Sequence, residues 1–152
     1  MFRKATMNDW EAVYQLICDL EKTEFPKEKF REIFHEQLHK ESCYCLVCEI
    51  EGKTIAMLNL RFENQLHHTD RIAEIMEFVV DEKYRNKGIG KQMFDKACVI
   101  AKDNGCVQIE LTSNQIRKDA HRFYIRKGMQ NTHYKFCKPL NTKYTEMRYT
   151  AE

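Results

Sequence analysis

Apolar and polar positions along the chain follow two rhythms, and their order predicts a fold. Phe2 to Thr6 reads as a short strand. Asn8 is placed to cap a helix whose apolar positions are Trp10, Val13, Tyr14, Leu16, Ile17 and Leu20. Pro26 opens a second helix with the stripe Phe30, Ile33, Phe34, Gln37 and Leu38. Cys43–Ile50, the pair Glu51-Gly52 and Lys53–Phe62 predict a β-hairpin, followed by a polar loop over Glu63–Asp70. Ile72–Val80 is apolar, rich in β-branched residues and free of Pro and Gly, as a buried strand is. Met93, Phe94, Ala97, Cys98, Ile100 and Ala101 then recur at helical spacing up to Asn104-Gly105. Val107–Thr112 alternates as a strand. A helix around Ala120, Phe123 and Tyr124 closes at Gly128, and an extended stretch runs from Met129 through Phe136 to Pro139. The tail 141–152 is expected to be an extra strand or a loose end. The order is β-α-α-β-β-β-α-β-α-β, an α/β (or α+β) arrangement in one domain over 1–152, without repeats or linkers.

Charge and cysteine usage narrow the class. With 25 basic and 23 acidic residues the net charge is +2, so no overall field draws the chain to nucleic acid. No apolar run is long enough to span a bilayer, and the N-terminus lacks a signal-peptide core, so neither a membrane nor export is expected. The seven cysteines are an odd number lying mostly inside predicted elements, which fits a reduced, cytoplasmic protein better than a disulfide framework. Cys43, Cys45 and Cys48 read as core, because no second cluster follows at zinc-site spacing. His35 and His39 lie one helical turn apart, yet no third ligand is fixed beside them, so a solvated face is the expectation.

The chemistry concentrates at Arg85-Asn86-Lys87-Gly88-Ile89-Gly90-Lys91, between a strand end and the first turn of a helix. Free N–H groups and the helix dipole favour an anion there, and Gly permits close approach. Arg85, Lys87 and Lys91 add positive charge. A Walker A loop is excluded, because Gly90-Lys91 is followed by Gln92 and Arg85 occupies the place of the first Gly. A dinucleotide fingerprint is excluded by Met93, where its third Gly belongs. The remaining pattern, Arg-x-x-Gly-x-Gly after Phe78-Val79-Val80, resembles the acetyl-CoA pyrophosphate loop of the GNAT superfamily of N-acetyltransferases. Ala120-His121-Arg122-Phe123-Tyr124 through Gly128-Met129 resembles the second signature of that superfamily, with Met129 in place of the usual aromatic residue.

The chain is further similar to the branch of that superfamily that acetylates aminoalkylphosphonates. The likeness is carried by Leu66-His67-His68, Glu74-Ile75-x-Glu77-x-Val79-Val80, Glu110 to Asn114, Asp119 to Tyr124 and His133-x-x-Phe136-x-Lys138-Pro139-Leu140. The resemblance implies a mixed central sheet of six to seven strands, splayed between two central parallel strands, with four helices. It implies acetyl-CoA as cosubstrate, a small-molecule amine as acceptor, and is compatible with a homodimer. Phe78, Val79 and Val80 would pair with the pantetheine arm, the Phe78 N–H facing the acetyl carbonyl. Asn114 would contact the cofactor, while Arg117 stands where the superfamily often has Asn. Tyr124 would protonate the leaving thiolate. An acceptor dianion needs cationic donors, for which Arg61, His67, His68, Arg122 and Lys135 are the candidates. In an extended His67-His68 pair only one ring would face the acceptor or a divalent metal.

Two carboxylates in the buried strand, Glu74 and Glu77, call for a purpose or a partner. Strand alternation places them on opposite faces, so they are expected to play different parts. Spacing from Arg85 puts Glu74 at the superfamily's general-base position, and Glu77 remains among the acceptor-facing candidates. The alternative for either is a salt bridge to Arg61 or Arg71.

Overall fold

The hairpin at Glu51-Gly52 organises the sheet. Both turn residues take positive φ, 49° and 75°, the twist that a two-residue turn needs to match its strands. Here β2 (Cys43–Ile50) and β3 (Lys53–Gln65) pair antiparallel. β1 (Phe2–Lys4) joins the outer edge of β2. On the other side β4 (Asp70–Val80) pairs antiparallel with β3, and β5 (Gln108–Leu111) pairs parallel with β4. The order is β1-β2-β3-β4-β5, a mixed sheet.

A computed structural model describes residues 1–149, which fall into two compact units, Met1–Leu111 and the chain from Thr112 onward. The first unit contains the whole sheet and three helices, α1 (Trp10–Glu21), α2 (Lys27–Leu38) and α3 (Ile89–Asp103). Val13 and Leu16 of α1 and Phe34 of α2 bury against Cys45, Val47, Met57 and Val79 on one sheet face. The opposite face, carrying Leu46, Leu58 and Phe78, belongs to α3, which buries Met93, Phe94, Ala97 and Ala101. Pro26 stands just before α2 as its N-cap. Asn8 does not cap α1. It lies in a 3-10 turn over Met7–Asp9, and the Asp9 carboxylate accepts the Thr6 N–H at 2.8 Å instead.

The second unit holds α4 (Lys118–Arg126) and α5 (Thr142–Tyr149). Three expectations are corrected. Among the described residues the sheet has five strands rather than six to seven, since the stretch from Met129 to Leu140 forms no ladder. The described residues form five helices rather than four, because the tail segment Thr142–Tyr149 is helical and not a strand. The loop over Glu63–Asp70 shrinks to Leu66–Thr69, as β3 and β4 continue pairing out to Gln65↔Asp70. No described helix is long and apolar enough to cross a membrane.

Candidate active site

The Gly-containing turn expected as an anion cradle lies between the end of β4 and the start of α3. β4 ends at Val80, a 3-10 turn covers Glu82–Tyr84, and Gly88 caps α3 at φ 82°, a conformation that any side chain would strain. The first intrahelical bond runs from the Gln92 N–H to the Gly88 carbonyl at 3.1 Å, so the N–H groups before it have no carbonyl within the helix to meet. Arg85 is tied to the strand end, its Nε donating to the Val80 carbonyl at 3.0 Å. Lys87 lies over the Tyr84 ring, and Lys91 is exposed beside Asp95. A Cβ on Gly90 would reach Phe78 and Val80 only at ordinary contact distances, 3.8 and 3.9 Å. Gly88 is thus demanded by backbone conformation, while space on the protein side does not demand Gly90. The residues present suit a phosphate-bearing ligand.

The parallel ladder between β4 and β5 covers Ile72↔Gln108 to Ile75↔Leu111 and stops there, while β4 continues to Val80. The sheet therefore opens alongside Met76–Val80, the stretch that leads directly into the cradle.

The two carboxylates do not stand on opposite faces. Asn59 pairs with Glu77, Leu60 with Ile75 and Arg61 with Glu74, so Met76 is an extra residue without a partner on β3. This is a β-bulge, and it shifts the alternation by one. Asn59 and Arg61 are two apart and share a face, and cross-strand partners share it too. Glu74 and Glu77 therefore both look toward α1 and α2. Met76, set outside the pairing, is 42% exposed.

Their surroundings differ. Glu74 accepts from Arg61 Nη2 at 2.7 Å, the salt bridge that its position allowed, and stands opposite Glu110 where β5 still pairs. Glu77 lines a cavity of about 50 Å³ with Val13, Ile17, Phe30, Phe34, Gln37 and Asn59 among its walls. Burial pushes the Glu77 carboxyl above its ordinary value, and repulsion from Glu21 adds to this. A side-chain hydrogen bond from Asn59 and the charge of Arg61 pull the other way. Its Oε2 is buried with no hydrogen-bond partner among the described residues. Asn59 Nδ2 also donates to Gln37 Oε1 at 3.0 Å, which links β3 to α2. Cys45, on the same wall, is an inert thiol pushed up to about 12 by burial, with Glu77 and Asp9 reinforcing.

A family model described as the Acetyltransferase (GNAT) family matches residues 10–129. The chain belongs to the GNAT family. It is 37% identical over 138 residues to the aminoalkylphosphonate N-acetyltransferase of Salmonella typhimurium, covering 91% of this chain and 90% of that protein. Among solved structures, a transcriptional regulator from Bacillus halodurans superposes with a TM-score of 0.85 at 25% identity, over 92% of this chain and 99% of that one. Glucosamine-6-phosphate N-acetyltransferase from Arabidopsis thaliana gives 0.78 at 24% identity, over 93% and 98%, which speaks for the fold alone.

The remaining candidates of this GNAT chain are placed as follows. His67 and His68 sit in the tight turn between β3 and β4. Their rings are 4.4 Å apart rather than opposed, because the pair is a turn and not a strand. His68 Nε2 lies 3.4 Å from Glu110 Oε2. Along β4 the turn is about 20 Å from Glu77 at roughly 3.3 Å per residue, and neither ring lines the cavity. A divalent metal finds no support, since no group of three His, Cys, Asp or Glu among the described residues is placed to hold one. In the second unit Tyr124 lies on α4 against Phe123, and burial raises its hydroxyl above the ordinary value while Arg117 opposes the rise. The Asn114 carbonyl lies 2.9 Å from His121 Nε2, and its side chain receives the Ile116 N–H. Arg122 pairs with Asp119, and Lys135 is exposed. Asn59 was not singled out by sequence, and Gln37 only as a member of the α2 stripe. The available signal was one amide inside the apolar run Ile55-Ala56-Met57-Leu58-Asn59-Leu60.

Proposed function

We propose that this GNAT protein transfers the acetyl group of acetyl-CoA to the primary amine of a small molecule, with an aminoalkylphosphonate as acceptor. The observation that carries the reading is the open edge of β4 leading into the Gly88-capped cradle, which suits a long cosubstrate ending in phosphates. The relative that is 37% identical across nine-tenths of both chains supports the acceptor class. In this reading Arg85 to Lys91 hold the pyrophosphate, Phe78 to Val80 and Asn114 meet the pantetheine arm, and the amine attacks the thioester carbonyl. A β4 carboxylate takes the amine's proton as the C–N bond forms, and Tyr124 supplies one to the thiolate as the C–S bond breaks. Arg61, Arg122, Lys135 and the His67-His68 pair are the cations available for the phosphonate.

A second reading has its own observation. The cavity wall carries Glu77 and no cationic side chain among the described residues, which favours a cationic amine lacking a phosphonate. Thiol release from acetyl-CoA across a panel of amines separates the two. Highest kcat/KM for aminomethyl- or aminoethylphosphonate supports the first, highest kcat/KM for a diamine supports the second, and silence with every amine removes both. Gly88→Glu should abolish the thermal stabilisation that acetyl-CoA gives the wild type; an unchanged shift would remove the cradle assignment.

A further inference from the structure

The position of Glu77 relative to the opening sheet assigns it a specific role. Glu74 stands where β4 is paired on both sides, with Arg61 opposite it on β3 and Glu110 opposite it on β5, and its carboxylate is engaged by the guanidinium. Glu77 stands beyond the last β4–β5 pair, immediately before Phe78, at the edge where the thioester is proposed to lie. The one-residue bulge at Met76 turns it to the α1/α2 face, into a cavity with room for more than one water-sized group. One oxygen is buried there without a partner among the described residues, an arrangement that costs stability unless a ligand uses it.

We propose that Glu77, rather than Glu74, accepts the proton of the substrate amine, with Asn59 as its positioning residue. This rests on the acetyltransferase reading above. The amine arrives as an ammonium, its N–H proton passes to the free oxygen of Glu77, and the nitrogen lone pair attacks the acetyl carbon. The charged and titratable groups facing Glu77 are Glu21 from α1, Cys45 from β2, Arg61 from β3 and Glu74 from β4 itself, while α2 presents the neutral Gln37. Burial and Glu21 favour the protonated form, and Asn59 and Arg61 limit the rise. A raised carboxyl with one free oxygen suits a group that must take up and give back a proton. Glu74 with Arg61 then serves as a fixed ion pair on the same face.

The decisive experiment compares Glu77→Gln and Glu74→Gln in the full chain, using thiol release with aminoethylphosphonate as a function of pH. Glu77→Gln is expected to lower kcat by roughly 10²–10⁴, with the deficit shrinking as pH rises and more amine arrives neutral. Glu74→Gln is expected to lose less, and both variants should keep the acetyl-CoA thermal shift. Asn59→Ala removes a hydrogen bond to the charged form, so it should move the acid limb of the kcat/KM profile to higher pH, which a packing defect would not do. A larger loss in Glu74→Gln, or a pH-independent loss in Glu77→Gln, overturns the proposal. Should the wild type turn over no amine, the acetyltransferase reading fails separately. Isotope-labelled carboxyl resonances, assigned by their disappearance in each variant, still decide the carboxylate: Glu77 titrating above Glu74 upholds the assignment, and the reverse order defeats it.

Discussion

Asp9 at the N-terminal corner and Glu77 on the central strand are both carboxyls withdrawn from water, and they are supplied very differently. Asp9 accepts two hydrogen bonds from the Arg3 guanidinium at 2.8 and 2.9 Å, one from the Thr54 hydroxyl at 2.7 Å and one from the Thr6 N–H at 2.8 Å. Burial raises its pKa, but Arg3, Thr54 and Thr6 together outweigh burial and hold it at about 2. Among the described residues Glu77 has Asn59 alone as a hydrogen-bonding side chain, and there burial wins. The first group is ionised and tied to three elements of the fold. The second is left with spare capacity inside a cavity. A carboxyl whose acceptor sites are all filled can do little besides hold a structure together, whereas one with an unfilled site can still take a proton from something else.

Breaking the satisfied side of this comparison should have the largest effect on stability. Asp9→Asn keeps the volume but strips the charge that Arg3 needs, and the shift from 3.8 to about 2 corresponds to roughly 2 kcal/mol. Urea unfolding at neutral pH measures it, and a change below about 0.5 kcal/mol would mean the network is ornamental. The pH dependence sharpens the contrast, because the two signs are opposite. The folded pKa of Asp9 is depressed, so its contribution is present above 3.8 and is lost as pH falls through about 2. That of Glu77 is raised, so its contribution is present below 4.5 and erodes as pH climbs through the raised value. Glu77→Gln should therefore flatten the neutral side of the curve and match or exceed the wild type in stability there; a marked loss at neutral pH would show the carboxylate to be structural. Gln37→Leu, which takes the acceptor from Asn59, should cost about 1 kcal/mol, read from the same unfolding curves. Least of all, Glu36→Ala breaks an exposed i,i+4 pair with Lys40 at 3.1 Å and should move the midpoint by less than about 0.5 kcal/mol.

The parts legible from sequence were those where hydropathy and pairing report the same thing. The hairpin about Glu51-Gly52, the helix that begins near Gly90 and the Gly-containing turn before it followed from local signals that tertiary structure did not override. Beyond Phe62, β3 runs on through Glu63, Asn64 and Gln65 paired with β4, so the pairing persists where the apolar signal has faded. The last segment failed in the opposite direction. Tyr134 and Phe136 alternate like strand residues, yet they are 83% and 92% exposed and no ladder forms there among the described residues. The closing helix did carry a readable mark, because Asn141 Oδ1 accepts the N–H groups of Lys143 and Tyr144 as a helix cap does. The bulge left no mark. Met76 lies with Ile75 between the two carboxylates, and nothing local distinguishes an extra residue from a paired one, so the relation between Glu74 and Glu77 emerged only from the cross-strand register.

That bulge has a consequence for how variation is tolerated along β4. At Met76 the side chain is partly in water and has no partner on β3, so its identity can drift: Thr, Lys or Gln should serve. Its pairing cannot. Deleting Met76 would set Glu77 directly after Ile75 and make Leu60↔Ile75 and Asn59↔Glu77 consecutive pairs, so the bulge would vanish while every side chain from Glu77 to Val80 kept its face. A slip that drew Met76 into the ladder would instead turn that whole stretch over, sending Phe78 toward α1 and Glu77 toward α3. At this position the strand tolerates a change of spelling and even a loss, but not a shift of one in what is paired.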